Sequence, residues 1–380
     1  MKIFSSFLNR LKRKSTQRFI PEIDALRFFA IIPVLLLHFG TAMLDENSLY
    51  NRETIDQTNT LRKLILNGGN GVILFFAISG FILALPFIGK KIEDLRFKSY
   101  FIRRLIRIEP PYIIAITLFL FVHIILNIKS ISFLWERYFA SFFYLHNIIY
   151  EQWSYILPVA WSLEIEVQFY LLMPIFLYLI CLFGNQLWRY AIYICMFVFF
   201  ILVDVLPGIM DLSDYMYAFI PGIAAADFYK SKLLKKNMIW DFVFMISLVI
   251  FFVYGVSGTL KGLLLFLIIT SSLNLVLLRK LLSNNIVVII GGMCYSLYLL
   301  HYPLYFLLTK IFTNKLNAFG NYEFDYVFQG LIIIPTSIAL ISIYYLLIEK
   351  PFMGLSKKTK NGSSFGQIIS NIKIFKRNDP

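Results

Sequence analysis

Two residues that bind anions or move protons interrupt the first apolar run of this chain, LRFFAIIPVLLLHFG (Leu26–Gly40): Arg27 near its start and His38 near its end. An ionisable group inside such a run is costly and is a functional candidate by default. On a helix, eleven residues rise about 16 Å and make about three turns. The two side chains therefore share a face without touching and suit the two ends of a long ligand. Arg27 alone is also explained by snorkelling to head groups or by pairing with Asp24 one turn away. A hydrogen bond to a neighbouring helix would explain His38, but an imidazole at that depth, titrating near neutral pH, favours a functional role.

Four further stretches carry candidates. In PVAWSLEIEVQFYLLMP (Pro158–Pro174), Pro158 suits a helix start and Glu164 and Glu166 face roughly opposite ways. Ser162, Glu166 and Tyr170 share one face. Glu166 is the acid expected to face a polar interior, where it would orient a histidine or stabilise its charged form; Glu164 fits a solvated outer interface. In GGMCYSLYLLHYP (Gly291–Pro303), Tyr298 and His301 lie one turn apart. His301 alone reads as a structural hydrogen-bonding residue, and beside His38 it argues for a polar cavity. In RRLIRIEPPY (Arg103–Tyr112), the forks of Arg104 and Arg107 can reach one anion, and Arg suits phosphate because its donors bind bidentately. Positive charge on a cytoplasmic loop explains the same residues. In GGNGVILFFAISGFILALP (Gly68–Pro86), small residues suit close helix packing, and Ser79 is at most a lining residue. His123 and His146 fit no motif.

The elements that position these residues follow from composition. The chain has 380 residues, 59% hydrophobic and only 15% charged, with a mean hydropathy of +0.72. Soluble domains are far less apolar. The runs are long rather than amphipathic, near the ~20 residues that a bilayer needs. An all-α polytopic membrane protein of about ten spans is expected, over 24–44, 69–88, 109–127, 158–183, 187–206, 215–229, 238–255, 259–278, 286–309 and 326–348. Residues 131–150 are apolar but broken, an interfacial or re-entrant segment, and are not counted.

The net charge of +14 sits beside the spans, as in segments facing anionic lipid, and does not argue for nucleic acid. Cytoplasmic loops hold the excess Lys and Arg. The basic N-terminal tail, the loop from Lys90 to Arg107, Tyr229–Lys236, Arg279–Lys280 and the C-terminal tail all fall on one side when the spans alternate. Both termini are then cytoplasmic. Residues 1–20 read as a basic interfacial segment rather than a signal peptide, 21–352 as the membrane domain and 353–380 as a basic tail too short for a core of its own. There is no internal repeat. The three cysteines, Cys181, Cys195 and Cys294, lie in apolar runs with no CxxC and no histidine at ligand spacing; buried thiols, with neither disulfide nor metal, are expected.

Taken in order, Arg27 with His38, FFAISGF, RLIRIEP, WSLEIEVQFYLLMP, YSLYLLHYP and the closing IEKPF (Ile348–Phe352) resemble the acyltransferase family 3 membrane proteins, integral-membrane O-acyltransferases, mostly bacterial, that modify surface glycans. The resemblance runs from Ile23 to Phe352. It implies a fold of about ten helices in the inner (plasma) membrane. It implies transfer of an acyl group, usually acetyl, from a cytoplasmic coenzyme A thioester to a hydroxyl of an extracytoplasmic carbohydrate, with acyl-CoA as a substrate and no bound cofactor. It places the essential basic–histidine pair on Arg27 and His38, the acid on Glu166 and the double-arginine motif on Arg104 and Arg107. Ile73 departs from a position that is often polar in the family.

On this reading Arg104 and Arg107 hold the coenzyme's phosphates, Arg27 lies along the path of the pantetheine arm, and the thioester arrives near His38. His38 serves as general base or takes the acyl group first, and Glu166 orients it. Ser162, Tyr298 and His301 bind substrate. Many relatives append an extracytoplasmic hydrolase-like domain, which this sequence does not show. The expected partners are membrane lipid, glycan-assembly proteins or a separate extracytoplasmic protein that delivers the acyl group. The rival reading is a transporter or flippase for a lipid-linked glycan, for which duplicated halves would be expected. A non-catalytic sensor with His38 as pH switch is a third.

Overall fold

The computed structural model describes residues 8–12, 20–46, 49–203, 211–316 and 319–358, and every regular element among them is helical. Most of the N-terminal segment, most of the C-terminal tail and the end of the 187–206 run lie outside the described residues.

Each apolar run folds as helix: α1 (Pro21–Asp45), α2 (Thr60–Leu66) leading into α3 (Asn70–Ala84), α4 (Phe97–Ile125), α5 (Ile131–Phe142), α6 (Trp161–Leu182), α7 (Gln186–Leu202), α8 (Met216–Ser231), α9 (Ile239–Val253), α10 (Gly258–Ser272), α11 (Asn285–Gly292), α12 (Cys294–Leu316) and α13 (Tyr322–Tyr344). Five stretches are long and apolar enough to cross a membrane, and six if α11 and α12, bent by 72°, form one span. By length alone this is fewer than the ten expected, because α7, α9 and α10 are apolar but have only 17, 15 and 15 residues, and α8 has 16. The outward faces are apolar: Phe121, Leu171, Phe242, Ile246 and Leu331 are all exposed. A helix facing water carries polar residues there. The chain is a multi-pass membrane protein.

The helix ends sort into two sets. At the Arg27 end, Arg189 at the start of α7 holds Asp227 at the end of α8 (2.6 and 2.9 Å), Lys230 donates to the Ile88 carbonyl (2.6 Å), and the backbone N–H groups of Val276 and Leu278 donate to Asp241. At the other end, Asn67 and Asn70 donate to the carbonyls of Val253 and Phe251 (3.0 and 2.9 Å), and Tyr50 donates to Asp325 (2.6 Å). Burial beside that carboxylate pushes the Tyr50 hydroxyl above its usual range.

Small residues set the closest contacts. A Cβ on Gly222 would stand 1.9 Å from the Ala77 carbonyl oxygen, and one on Gly80 2.3 Å from that of Phe219, so α3 and α8 cross backbone to backbone. This is the packing expected of GGNGVILFFAISGF.

Three expectations change. The helix of the 109–127 run begins well before it: α4 starts at Phe97 and runs through Pro110 and Pro111. The hydroxyls of Tyr295 and Tyr344 donate to the Ile108 and Pro111 carbonyls and tie this part of α4 to α12 and α13. Arg104 and Arg107 therefore sit on a helix, not in a loop. Glu164 is not solvated but fully buried, and its Oε2 accepts the Asn147 backbone N–H (2.8 Å). Cys195 is exposed rather than buried, because α7 presents most of its surface outward; all three thiols are unpaired.

Residues 131–160 form an arm that folds back along α4. α5 runs antiparallel along the second half of α4, with Tyr138 against Thr117 (2.9 Å), Ser141 O against the Tyr112 hydroxyl (2.9 Å) and Tyr144 stacked on Tyr112 (4.8 Å between ring centres). The chain then returns to Tyr155, whose ring lies 5.6 Å from His123 near the end of α4. His146 is buried within this arm.

Candidate active site

Helices α1, α3, α4, α6 and α12 enclose a cavity of about 110 Å³ lined by Arg27, Ser79, Arg104, Arg107, Ser162, Glu166, Tyr170, Cys294 and Tyr298, with apolar side chains such as Phe75 and Phe76 between them. Ser162, Glu166 and Tyr170 occupy successive turns of one α6 face, so the helix period alone strings them over about 12 Å. The 3-10 turn Pro158–Ala160 starts that helix.

Arg27 is buried and pairs with Asp24 one turn back, while also lining the cavity. The pairing with Asp24 is the one expected of a residue one turn away. A Cβ on Gly291 would stand 1.7 Å from the Asp24 carbonyl oxygen, so α11 presses directly on the turn that carries the pair. The Arg104 guanidinium lies over the Tyr170 ring, 5.6 Å from its centre, a cation–π distance. Tyr170 and Ser79 both donate to one oxygen of Glu166. Three guanidinium groups against Glu166 and Asp24 leave the cavity cationic, and its low-dielectric walls strengthen that field.

The Tyr298 hydroxyl lies 2.6 Å from that of Ser162 and also donates to the Val159 carbonyl (3.0 Å). One turn on, His301 is fully buried, its ring centre 5.9 Å from that of Tyr298. His301 in turn lies 5.1 Å from His38, whose other ring neighbour is Tyr302 at 5.0 Å. The α12 helix therefore touches the cavity with Cys294 and Tyr298 and the His38 ring with His301 and Tyr302. Neither histidine lines the cavity. The start of α12 is held by Glu349, which accepts from the backbone N–H (3.0 Å) and hydroxyl (2.5 Å) of Ser296.

The structure thus gathers Arg27, Arg104, Arg107, Glu166, Ser162 and Tyr298 around one cavity and pairs His38 with His301 beyond Tyr298. It does not bring Glu166 to His38: the hydrogen-bond partners of Glu166 are Ser79 and Tyr170. The i, i+4 face that joins Glu166 to Tyr170 turns it toward the arginines instead. Among the described residues no group of three or more His, Cys, Asp or Glu side chains could hold a metal ion.

Sequence reasoning missed three contributors. Glu349 lies inside IEKPF, but nothing in its spacing points to Ser296. Tyr302 follows His301 directly, and an adjacent residue on a helix is not expected on the same side. Arg62 on α2 is wholly buried; it bonds Asp56 (2.6 Å) and Thr41 (3.2 Å) and covers Gly40, two residues beyond His38. It stands in a charged stretch that reads as solvated, so it carried no signal.

The family profile described as "Acyltransferase domain" matches residues 20–346. In Staphylococcus aureus strain COL, a protein named "Putative O-acetyltransferase" is 26% identical over 88% of this chain and 57% of its own length. The O-acetyltransferase OatA of strain MRSA252 is 25% identical over 95% of this chain and 62% of its own length. OatA of strain NCTC 8325 is 25% identical over 90% and 58%. The chain thus spans about 60% of the length of these curated relatives. No solved structure matches it.

Proposed function

We propose, on the premise that this chain belongs to the acyltransferase family whose domain it matches over residues 20–346, that it is a membrane-embedded O-acyltransferase. In this reading it moves an acetyl group from cytoplasmic acetyl-CoA to a hydroxyl of an extracytoplasmic carbohydrate. The observation that carries the reading is the adjacency of a cationic cavity to a histidine pair, His301 buried and His38 part-buried, with Tyr298 touching both.

Arg104 and Arg107 take the coenzyme's phosphates, since paired guanidinium forks bind phosphate oxygens bidentately. Arg27 lies along the path of the pantetheine arm. His38, about 16 Å along α1 from Arg27, meets the acyl carbon, either as general base or by accepting the acyl group itself. Glu166 belongs to the donor side, where it keeps Tyr170 in place beneath Arg104. Ser162, Tyr298 and His301 shape the approach from cavity to histidines.

A ten-span topology with both termini cytoplasmic, in the inner membrane, accompanies this reading. It is supported by the sorting of helix ends. The basic segments around Arg104, Lys230 and Arg279 gather at the Arg27 end, which the positive-inside rule makes cytoplasmic. The OatA relatives are longer than this chain. As partners we include glycan-assembly proteins or a separate extracytoplasmic protein that passes the acyl group on, alongside membrane lipid.

The test is ester analysis of surface glycan in cells carrying His38→Ala, with the protein shown to remain in the membrane. Loss of the ester is expected. Retained acylation removes His38 from catalysis, and loss of the whole polymer points to transport instead.

A further inference from the structure

His301 is the second histidine of the pair, and its two ring nitrogens are placed differently. Nδ1 lies 2.8 Å from the Leu297 carbonyl oxygen, one turn back on its own helix. A carbonyl only accepts, so Nδ1 carries the proton and the neutral ring presents its lone pair at Nε2. That Nε2 is buried with no hydrogen-bond partner, in a residue with no exposed surface. A buried acceptor left unmatched is costly, and the imidazole that packs against this ring, their centres 5.1 Å apart, is His38. The arrangement holds a proton acceptor of fixed tautomer next to the imidazole that meets the acyl group. Two touching imidazoles do not both carry charge, because like charges disfavour it. The pair therefore accommodates one extra proton.

We infer that His301 is a catalytic residue: its Nε2 takes the proton from the acceptor hydroxyl, while His38 carries the acyl group. This rests on the O-acyltransferase reading above. In the first half-reaction a His38 ring nitrogen attacks the thioester carbon. A C–N bond forms, the C–S bond breaks, and the departing thiolate takes the proton that the acylated ring releases. In the second, the acceptor O–H gives its proton to His301 Nε2 as its oxygen attacks the acyl carbon. A C–O bond forms, the C–N bond breaks with its electron pair returning to His38, and the proton on His301 passes to His38. Both rings end neutral, and the products are the ester and free coenzyme A.

The test separates a nucleophile that needs a base from one that does not. Purified protein with His301→Gln is given acetyl-CoA and either the carbohydrate or hydroxylamine, a neutral nucleophile that attacks an acyl group without prior deprotonation. His301→Asn serves as a second variant, and coenzyme A affinity identifies which of them is folded. Ester formation should fall by at least about 100-fold, the usual size of a general-base contribution, while acetyl hydroxamate still forms at close to the unmodified protein's rate. Undiminished ester formation overturns the assignment. So does parallel loss of both reactions with coenzyme A affinity intact, which makes His301 a support for His38. His38→Ala is run beside it and should lose both products; if it keeps them, His38 does not carry the acyl group and the assignment of His301 falls with it, whereas unmodified protein that forms neither product would overturn the underlying O-acyltransferase reading itself.

Discussion

Tyr298 and Ser162 meet hydroxyl to hydroxyl at 2.6 Å, where the arginine-lined cavity ends and the histidine pair begins. Tyr298 comes from α12 and Ser162 from α6, so this contact also ties the helix that carries His301 to the helix that carries Glu166.

Removing that contact should uncouple donor entry from transfer. We predict that Tyr298→Phe, which keeps the ring and loses the hydroxyl, raises acetyl-CoA hydrolysis measured without carbohydrate. One net hydrogen bond is worth about 1 kcal/mol, a change of about fivefold. Ser162→Ala should act in the same direction. The readout is free coenzyme A released per ester formed, and an unchanged ratio would show that the contact does not couple donor entry to transfer.

Donor binding should depend on the two α4 arginines. Each charged hydrogen bond contributes about 1.5–3 kcal/mol, so Arg104→Ala with Arg107→Ala should weaken coenzyme A binding at least about tenfold. Calorimetry on the purified protein checks this; equal affinity would take the phosphates away from these residues.

Glu166, Tyr170 and Ser79 should behave as one unit. Tyr170→Phe should lower the transfer rate in the unmodified protein and much less in a Glu166→Gln background, with a coupling of about 0.5–3 kcal/mol, as for groups sharing one hydrogen-bonded network. Strict additivity across that cycle would show that the carboxylate does not work through Tyr170.

Stability should respond to glycine according to contact, not exposure to solvent alone. At Gly291 an added Cβ meets the Asp24 carbonyl oxygen at 1.7 Å, whereas at Gly184 it meets nothing within 4 Å. Gly291→Val should cost about 3 kcal/mol, at the upper end for overpacking, and should reduce activity by displacing the Asp24–Arg27 turn. Gly184→Ala should stay within about 0.5 kcal/mol. Thermal unfolding in detergent compares them, and equal melting points would contradict the close approach of α11 to α1.

Much of the site was legible because helix period is legible. Ser162, Glu166 and Tyr170 had to share a face, as did Arg104 with Arg107 and Tyr298 with His301, wherever the helices themselves went. The partner of Glu166 was not legible. Its nearest polar neighbour on another helix, Ser79, lies far away in the chain, and nothing in either run's spacing links them. Arg62 was hidden for the opposite reason. Charged residues between spans usually face water, and only the packing of α2 over Gly40 buries this one.

Composition and run length by themselves determined an all-helical protein in a membrane, because a bilayer leaves backbone polar groups no partner outside the helix. The order of its motifs determined the family resemblance. Tertiary structure decided which polar groups meet: Glu166 with Ser79, in the cavity that the arginines line, and His38 with His301. Contacts between helices depend on how their surfaces pack across the bundle, and no local period along one chain encodes that.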